Sequence, residues 1–83
     1  MTISKAPWTR HEVAVYDAND RLVAICFGGT PGEAEANARL ISAAPEILEA
    51  LETMVDMVEM NRFIQDYAME IAREAIKKAR GEE

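Results

Sequence analysis

The sequence has few of the residues that form disulfides or metal sites, which very small domains often use for stability. Among its 83 residues there is one cysteine, Cys26, and one histidine, His11. One cysteine excludes a disulfide within the chain, and the pair provides too few sulfur and nitrogen ligands for a zinc site. Because a chain of this size buries only about 60% of its unfolded surface, association with further copies is the remaining source of stability. We therefore expect one small domain, residues 1–83, that forms a homodimer or higher homo-oligomer and binds no cofactor.

Basic residues are also scarce. Nine Lys and Arg stand against 15 Asp and Glu, so the formal net charge is −6 at pH 7. This balance disfavours direct binding of nucleic acid or an anionic membrane, since both need clustered positive charge. An acidic surface suits a basic protein partner, or serves solubility alone.

Long apolar runs are missing too. No segment approaches the ~20 apolar residues of a membrane-spanning helix. The first 12 residues lack the apolar stretch of a signal peptide, so we expect no export. Together with the unpaired cysteine, these absences predict a cytoplasmic protein.

The N-terminal third is rich in β-forming residues. Residues 1–10 read as an extended lead-in. The alternating segment 11–17 and the β-rich segment 22–27 predict two strands joined by a turn of Ala, Asn, Asp and Arg. We expect a β-hairpin over 11–27, with one face covered by helices or paired with another chain, because an isolated hairpin is barely stable.

A helix start follows the hairpin. Thr30 as N-cap, Pro31 at the first helical position and Glu33 as the partner of a capping box predict a helix over 31–43. The neighbouring glycines raise the alternative of a phosphate-binding loop. The lysine of a P-loop is missing, however, and Glu33 already occupies the positive end of the helix dipole.

The rest of the chain predicts a second, long helix. Ala44-Pro45 forms a corner, and no glycine or proline follows until Gly81, which favours one helix over 45–80. Its apolar stripe shifts by ~80° near Asn61 and widens beyond it. Either the helix kinks near Asn61 or its second half contacts a surface that its first half does not. We favour a long helix that meets a second chain, and the sequence leaves open whether it is continuous or kinked. The fold class is α+β: hairpin, helix, proline corner and long C-terminal helix.

The widened stripe predicts the contact surface between copies. Its members are apolar or flexible side chains at helical spacing. They are Met54, Met57, Val58, Ile64, Tyr67 and Ile71. The methionines are also consistent with an ordinary core, or with a groove for a variable protein partner.

Few residues of the sequence are candidates for a catalytic or metal-binding role. Cys26 and His11 lie on neighbouring predicted strands, but a cysteine between isoleucine and phenylalanine is usually a small buried hydrophobe. A row of carboxylates at helical spacing suits a solvated helix face, and a metal site shared between copies is the alternative. These are Glu46, Glu49, Glu52, Asp56 and Glu59. We predict no enzyme activity and no catalytic residues.

Three residues are candidates for ligand binding. Arg39 stands among alanines, and its planar guanidinium suits a phosphate or carboxylate; the alternative is a salt bridge to Glu35 or Glu46. Asn37 is the polar residue nearest to it, and could contact a base. Trp8 could stack on a ligand, although capping the edge of the core is the simpler role for its ring.

The segment ANARLISAAPEILEALE (36–52) resembles a formula found in small proteins of tailed bacteriophages and prophages. Pro-Trp at 7–8, VYDANDRLVA (15–24) and AREAIKKARGE (72–82) match the same pattern. In the pattern a glycine is common in the hairpin turn, where this chain has Asn19-Asp20. The resemblance implies a phage or prophage accessory protein, and it transfers no catalytic residues.

Two functions of different classes fit this inventory. One is an oligomeric counter-defence protein that binds and blocks a host immune protein, for example of the CRISPR type, in the host cytoplasm. The alternative is a sponge that sequesters a small nucleotide signal between subunits, with Asn37 and Arg39 as contacts. The acidic net charge favours the first, because a nucleotide is itself an anion.

Overall fold

The computed structural model describes residues 2–60 and 66–82. Its elements are strands β1 (Thr9–His11), β2 (Ala14–Tyr16) and β3 (Leu22–Ile25), then helices α1 (Pro31–Ser42), α2 (Ala44–Glu59) and α3 (Asp66–Arg80). The α+β class is confirmed. The arrangement differs from the expectation in having one more strand and one more helix.

The predicted hairpin over 11–27 is a three-stranded antiparallel meander, with β2 between β1 and β3. Arg10 pairs with Val15, so the last part of the expected lead-in 1–10 is a strand. A strand of three residues is too short to show the alternation by which strands are recognised in a sequence. The prediction of a two-stranded hairpin was therefore wrong by one strand.

The turn between β2 and β3 is held by one buried carboxylate. Asp17 Oδ1 accepts the backbone N–H groups of Asn19, at 2.8 Å, and Arg21, at 2.9 Å. Asp20 adopts a φ of 61°. Aspartate tolerates this left-handed conformation better than most residues, so the turn closes without a glycine.

Helix α1 begins as predicted. Thr30 is extended and its Oγ1 accepts the N–H of Glu33 at 3.2 Å. Glu33 Oε2 in turn accepts the N–H of Gly29 at 2.7 Å, one residue before the expected capping-box partner. The Glu33 carboxylate therefore already accepts the Gly29 N–H, which a phosphate bound at this helix terminus would need as a donor. The helix ends at Ser42 and Ala43 forms the corner into α2.

The prediction of one long helix over 45–80 was wrong, because the described residues form two helices, α2 and α3. Helix α3 packs along α2 in the antiparallel direction, so the two form a helical hairpin. Asn61, where the sequence analysis left a kink open, lies outside the described residues. The stripe shifts and widens because α3 packs against α1 as well as α2. Gly81, with a φ of 76°, ends α3 as predicted.

The core is made largely of small side chains. Val15, Cys26 and Ala38 are buried between the sheet and α1, and Trp8 packs against them. Within residues 2–60 and 66–82, six of the nine buried apolar residues are alanines, and Val15 is the largest side chain that is fully buried. Thirteen large apolar side chains of the described residues are at least 37% exposed. The chain therefore leaves much of its apolar surface uncovered.

Candidate protein-binding site

The helical hairpin is closed at one end by a three-way contact. Lys78 Nζ, near the end of α3, donates to Glu46 Oε1 in the first turn of α2 at 2.8 Å and to the carbonyl oxygen of Trp8 at 2.9 Å. The Lys78 and Glu46 side chains are 21% and 30% exposed. This partly buried contact sets the register of α3 against α2 and ties both to the start of the sheet.

One side of the hairpin carries a groove that we call the acidic groove. It consists of two adjoining depressions of about 440 and 480 Å³, which share Glu49 and Ile71. Its floor is apolar and its walls are mainly carboxylates. The floor is formed by Met57, Tyr67, Ile71 and Ala75, and the acidic walls by Glu46, Glu49, Asp56, Glu70 and Glu74.

The carboxylates of the acidic groove are only partly neutralised. Glu46 pairs with Lys78, and Glu74 lies 3.6 Å from Lys77. The other three walls, Glu49, Asp56 and Glu70, make no ion pair with any residue in 2–60 or 66–82. Helix α2 itself contains five acidic residues and no Lys or Arg. The groove therefore combines negative charge with apolar contact area, which suits a basic segment with an apolar edge.

The second carboxylate oxygen of Glu46 lies beneath this surface. Glu46 Oε2 is buried and has no hydrogen-bond partner within the described part of the chain. A buried acceptor without a donor costs free energy. Because this oxygen is buried, it is not a contact point for a partner.

The residues predicted as the contact surface between copies divide between the two sides of the hairpin. Tyr67 and Ile71 line the acidic groove. Met57 is buried between α2 and α3, so its burial needs no second copy. Met54 lies on the opposite side of the hairpin, together with the exposed Val58. The sixth member of the predicted set, Ile64, lies outside the described residues.

Each residue predicted to bind a ligand has a structural contact. Asn37 Nδ2 donates to the carbonyl oxygen of Phe27 at 2.7 Å and joins α1 to the end of the sheet. Arg39 lies 3.8 Å from Glu35, and its aliphatic part lies against Gly81. Trp8 is half-buried against the core, and its Nε1 donates to the carbonyl of Ser4 at 3.0 Å. The three are not brought together into one pocket.

The candidates for catalysis and metal binding are also separate. Cys26 is buried, whereas His11 is exposed on the opposite face of the sheet, in line with Ala14 and Ile25. Residues 2–60 and 66–82 contain no group of three or more His, Cys, Asp or Glu side chains placed to hold a metal ion. Within the same ranges, no helix is both long and apolar enough to span a membrane.

Sequence reasoning missed the α3 half of the acidic groove. Glu70 and Glu74 are spaced four residues apart, which places them on one face of a helix. That spacing was visible, but a continuous 45–80 helix would hold them far from Glu49 and Asp56. Only the reversal of the chain brings the two acidic rows to one groove.

Comparison with known proteins agrees with the phage resemblance. No curated protein and no solved structure matches the chain. The family model described as Salmonella phage P22 protein Y8K6 matches residues 1–83. Because this match covers the whole chain, the protein belongs to the Salmonella phage P22 protein Y8K6 family, a family of phage proteins.

Proposed function

We propose that this phage protein is a non-enzymatic, homo-oligomeric binding module that acts in the host cytoplasm, where it binds and blocks a host immune protein. The observation that carries the proposal is the acidic groove. Three of its wall carboxylates make no ion pair with a described residue, and its apolar floor includes the exposed side chain of Tyr67.

The partner feature that fits this groove is a basic segment with apolar residues along one edge. Opposite charges across an interface speed association and select the partner, while the apolar floor contributes affinity. Tyr67 is 54% exposed at one end of the groove, and tyrosine is among the residues most often found to dominate binding energy. The groove is also long, since it runs along both helices of the hairpin.

The sponge alternative gains no comparable support. Asn37 and Arg39 already contact Phe27, Glu35 and Gly81 within the chain. A nucleotide would have to replace these contacts, and its phosphates would meet a protein of net charge −6.

The proposal is tested by charge reversal in the acidic groove. The variant E49K/D56K is compared with E12K/E82K, which changes the net charge equally at exposed positions away from the groove. Each protein is used to capture partners from host lysate, followed by native mass spectrometry, and each is tested for protection of a sensitive phage in a defended host.

We expect capture and protection by the wild type and E12K/E82K, and loss of both in E49K/D56K. Equal loss of capture and protection in both variants would show that binding depends on the net charge of the protein and not on the acidic groove. Full retention in E49K/D56K, with circular dichroism unchanged, would contradict the proposed groove.

A further inference from the structure

The side of the hairpin opposite the acidic groove carries an uncharged surface that we call the apolar face. Ile47, Leu51 and Met54 of α2 and Ala72 and Ile76 of α3 line a shallow depression of about 140 Å³ there. Leu51 is 56% exposed and Ile76 is 47% exposed. Exposed contiguous apolar surface of this kind marks an interaction site in a soluble protein.

The α2 part of the apolar face continues along the whole helix. At ~100° per residue, four exposed side chains fall within an arc of ~80°. They are Leu48, Leu51, Val55 and Val58. Their alternating spacing of three and four residues is that of helices that pack lengthwise against another helix.

The two long rims of the apolar face have opposite charge. On α2, Glu52 follows Leu48 by four residues and so borders the stripe. On α3, Arg73 precedes Ile76 by three residues and borders the other side. Neither Glu52 nor Arg73 forms an ion pair with a residue that the structure describes.

Glu52 and Arg73 also lie at the same level along the hairpin. The contact between Glu46 and Lys78 fixes the register at one end. Glu52 is six residues along α2 from that contact and Arg73 is five residues back along α3. At ~1.5 Å per residue their levels differ by only about 2 Å.

We infer that the apolar face is the interface of a symmetric homodimer, in which Glu52 of each protomer pairs with the partner's Arg73. A two-fold axis parallel to the hairpin lays α2 of one protomer antiparallel on α3 of the other and makes a four-helix bundle. A rotation about this axis does not change the position of a residue along the helices, so Glu52 of each protomer faces the partner's Arg73. The interface therefore contains two such pairs. The inference specifies the self-association within the proposed function and is independent of the host partner.

A second copy fits this face better than a purely basic partner does. A basic helix would complement the Glu52 rim but repel the Arg73 rim. The chain itself presents one acidic and one basic rim at matching levels, which is the self-complementarity that a two-fold interface requires. The small-residue core also leaves the monomer short of buried apolar area, which dimerisation would supply.

The test is a charge swap followed by measurement of the dimer dissociation constant by sedimentation equilibrium. The variants E52R and R73E should each weaken the dimer at least about tenfold, because two ion pairs become like-charge contacts. The double variant E52R/R73E should restore the dissociation constant to near the wild-type value. Absence of rescue, or no weakening by either single variant, would overturn the inference.

Two matched variants separate the apolar face from the rest of the surface. L51D should be monomeric, whereas L40D should remain dimeric, although Leu40 on α1 is as exposed as Leu51. The groove variant E49K/D56K should also remain dimeric, so loss of host binding and loss of the dimer are separate outcomes. A wild type that is monomeric at about 100 μM, well above the micromolar limit of weak interfaces, would overturn the inference and leave the apolar face to another protein.

Discussion

Lys78 of α3 donates a 2.8 Å hydrogen bond to Glu46 in the first turn of α2, across 32 residues of sequence. The same ammonium group donates to the carbonyl of Trp8 at 2.9 Å. One side chain thus connects the start of the sheet with both helices of the hairpin. This contact holds the register of the two helices at one end of the hairpin.

Replacing Lys78 by methionine should therefore destabilise the protein. The variant leaves the partly buried Glu46 carboxylate without its described partner, and we expect the free energy of unfolding to fall by about 1–3 kcal/mol. Lys77 is the matched control, because its pair with Glu74 is largely exposed and K77M should change stability by less than about 0.5 kcal/mol. Urea denaturation of both variants measures the difference. Equal effects would show that the Lys78 contact contributes no more than a surface ion pair.

A second prediction concerns two glycines at the start of α1. A Cβ on Gly28 would lie 2.7 Å from Glu33 Cβ and 2.8 Å from the backbone nitrogen of Ala34, whereas one on Gly32 would meet only Thr30 Oγ1, at 3.8 Å. We expect G28A to lower the free energy of unfolding by about 1–3 kcal/mol, since the backbone at residue 28 and the first turn of α1 must move apart to make room for the methyl group. In contrast, G32A should gain about 0.4–1 kcal/mol by restricting the unfolded chain.

Thermal and urea unfolding of the two alanine variants checks this pair. The substitutions are chemically identical and lie four residues apart, so composition cannot explain a difference in sign. A G28A protein as stable as the wild type would mean that a methyl group fits between residue 28 and the first turn of α1, which contradicts the close approach of Gly28 to Glu33.

Local features of the fold were predictable because a few adjacent residues determine them. The cap at Thr30 is a bond from the Glu33 N–H to the Thr30 side chain, and the stop at Gly81 rests on a bond from its own N–H to the Lys78 carbonyl, so each spans only three residues. The turn after β2 is local too, since Asp17 accepts the N–H groups of Asn19 and Arg21. Short-range sequence patterns carry this information directly.

Long-range features were not predictable in the same way. No glycine or proline in the sequence marks the reversal of direction from α2 to α3, so the sequence favoured one long helix. Both the acidic groove and the apolar face depend on that reversal. The contacts of Lys78 with Trp8 and of Asn37 with Phe27 join segments whose proximity no local pattern encodes.

The last prediction separates the two functions that the sequence left open, and it concerns Asn37 and Arg39. If both are structural, the wild type should give no calorimetric heat with cyclic nucleotides or ADP-ribose derivatives. N37A should lower the free energy of unfolding by about 0.5–1.5 kcal/mol, because the bond to the Phe27 carbonyl is lost. R39A should cost less than about 1 kcal/mol, since its pair with Glu35 is 3.8 Å long and partly exposed. Neither variant should change capture of a host protein. Saturable heat with a nucleotide in the wild type, abolished by R39A at unchanged stability, would instead establish the sponge and contradict the protein-binding proposal.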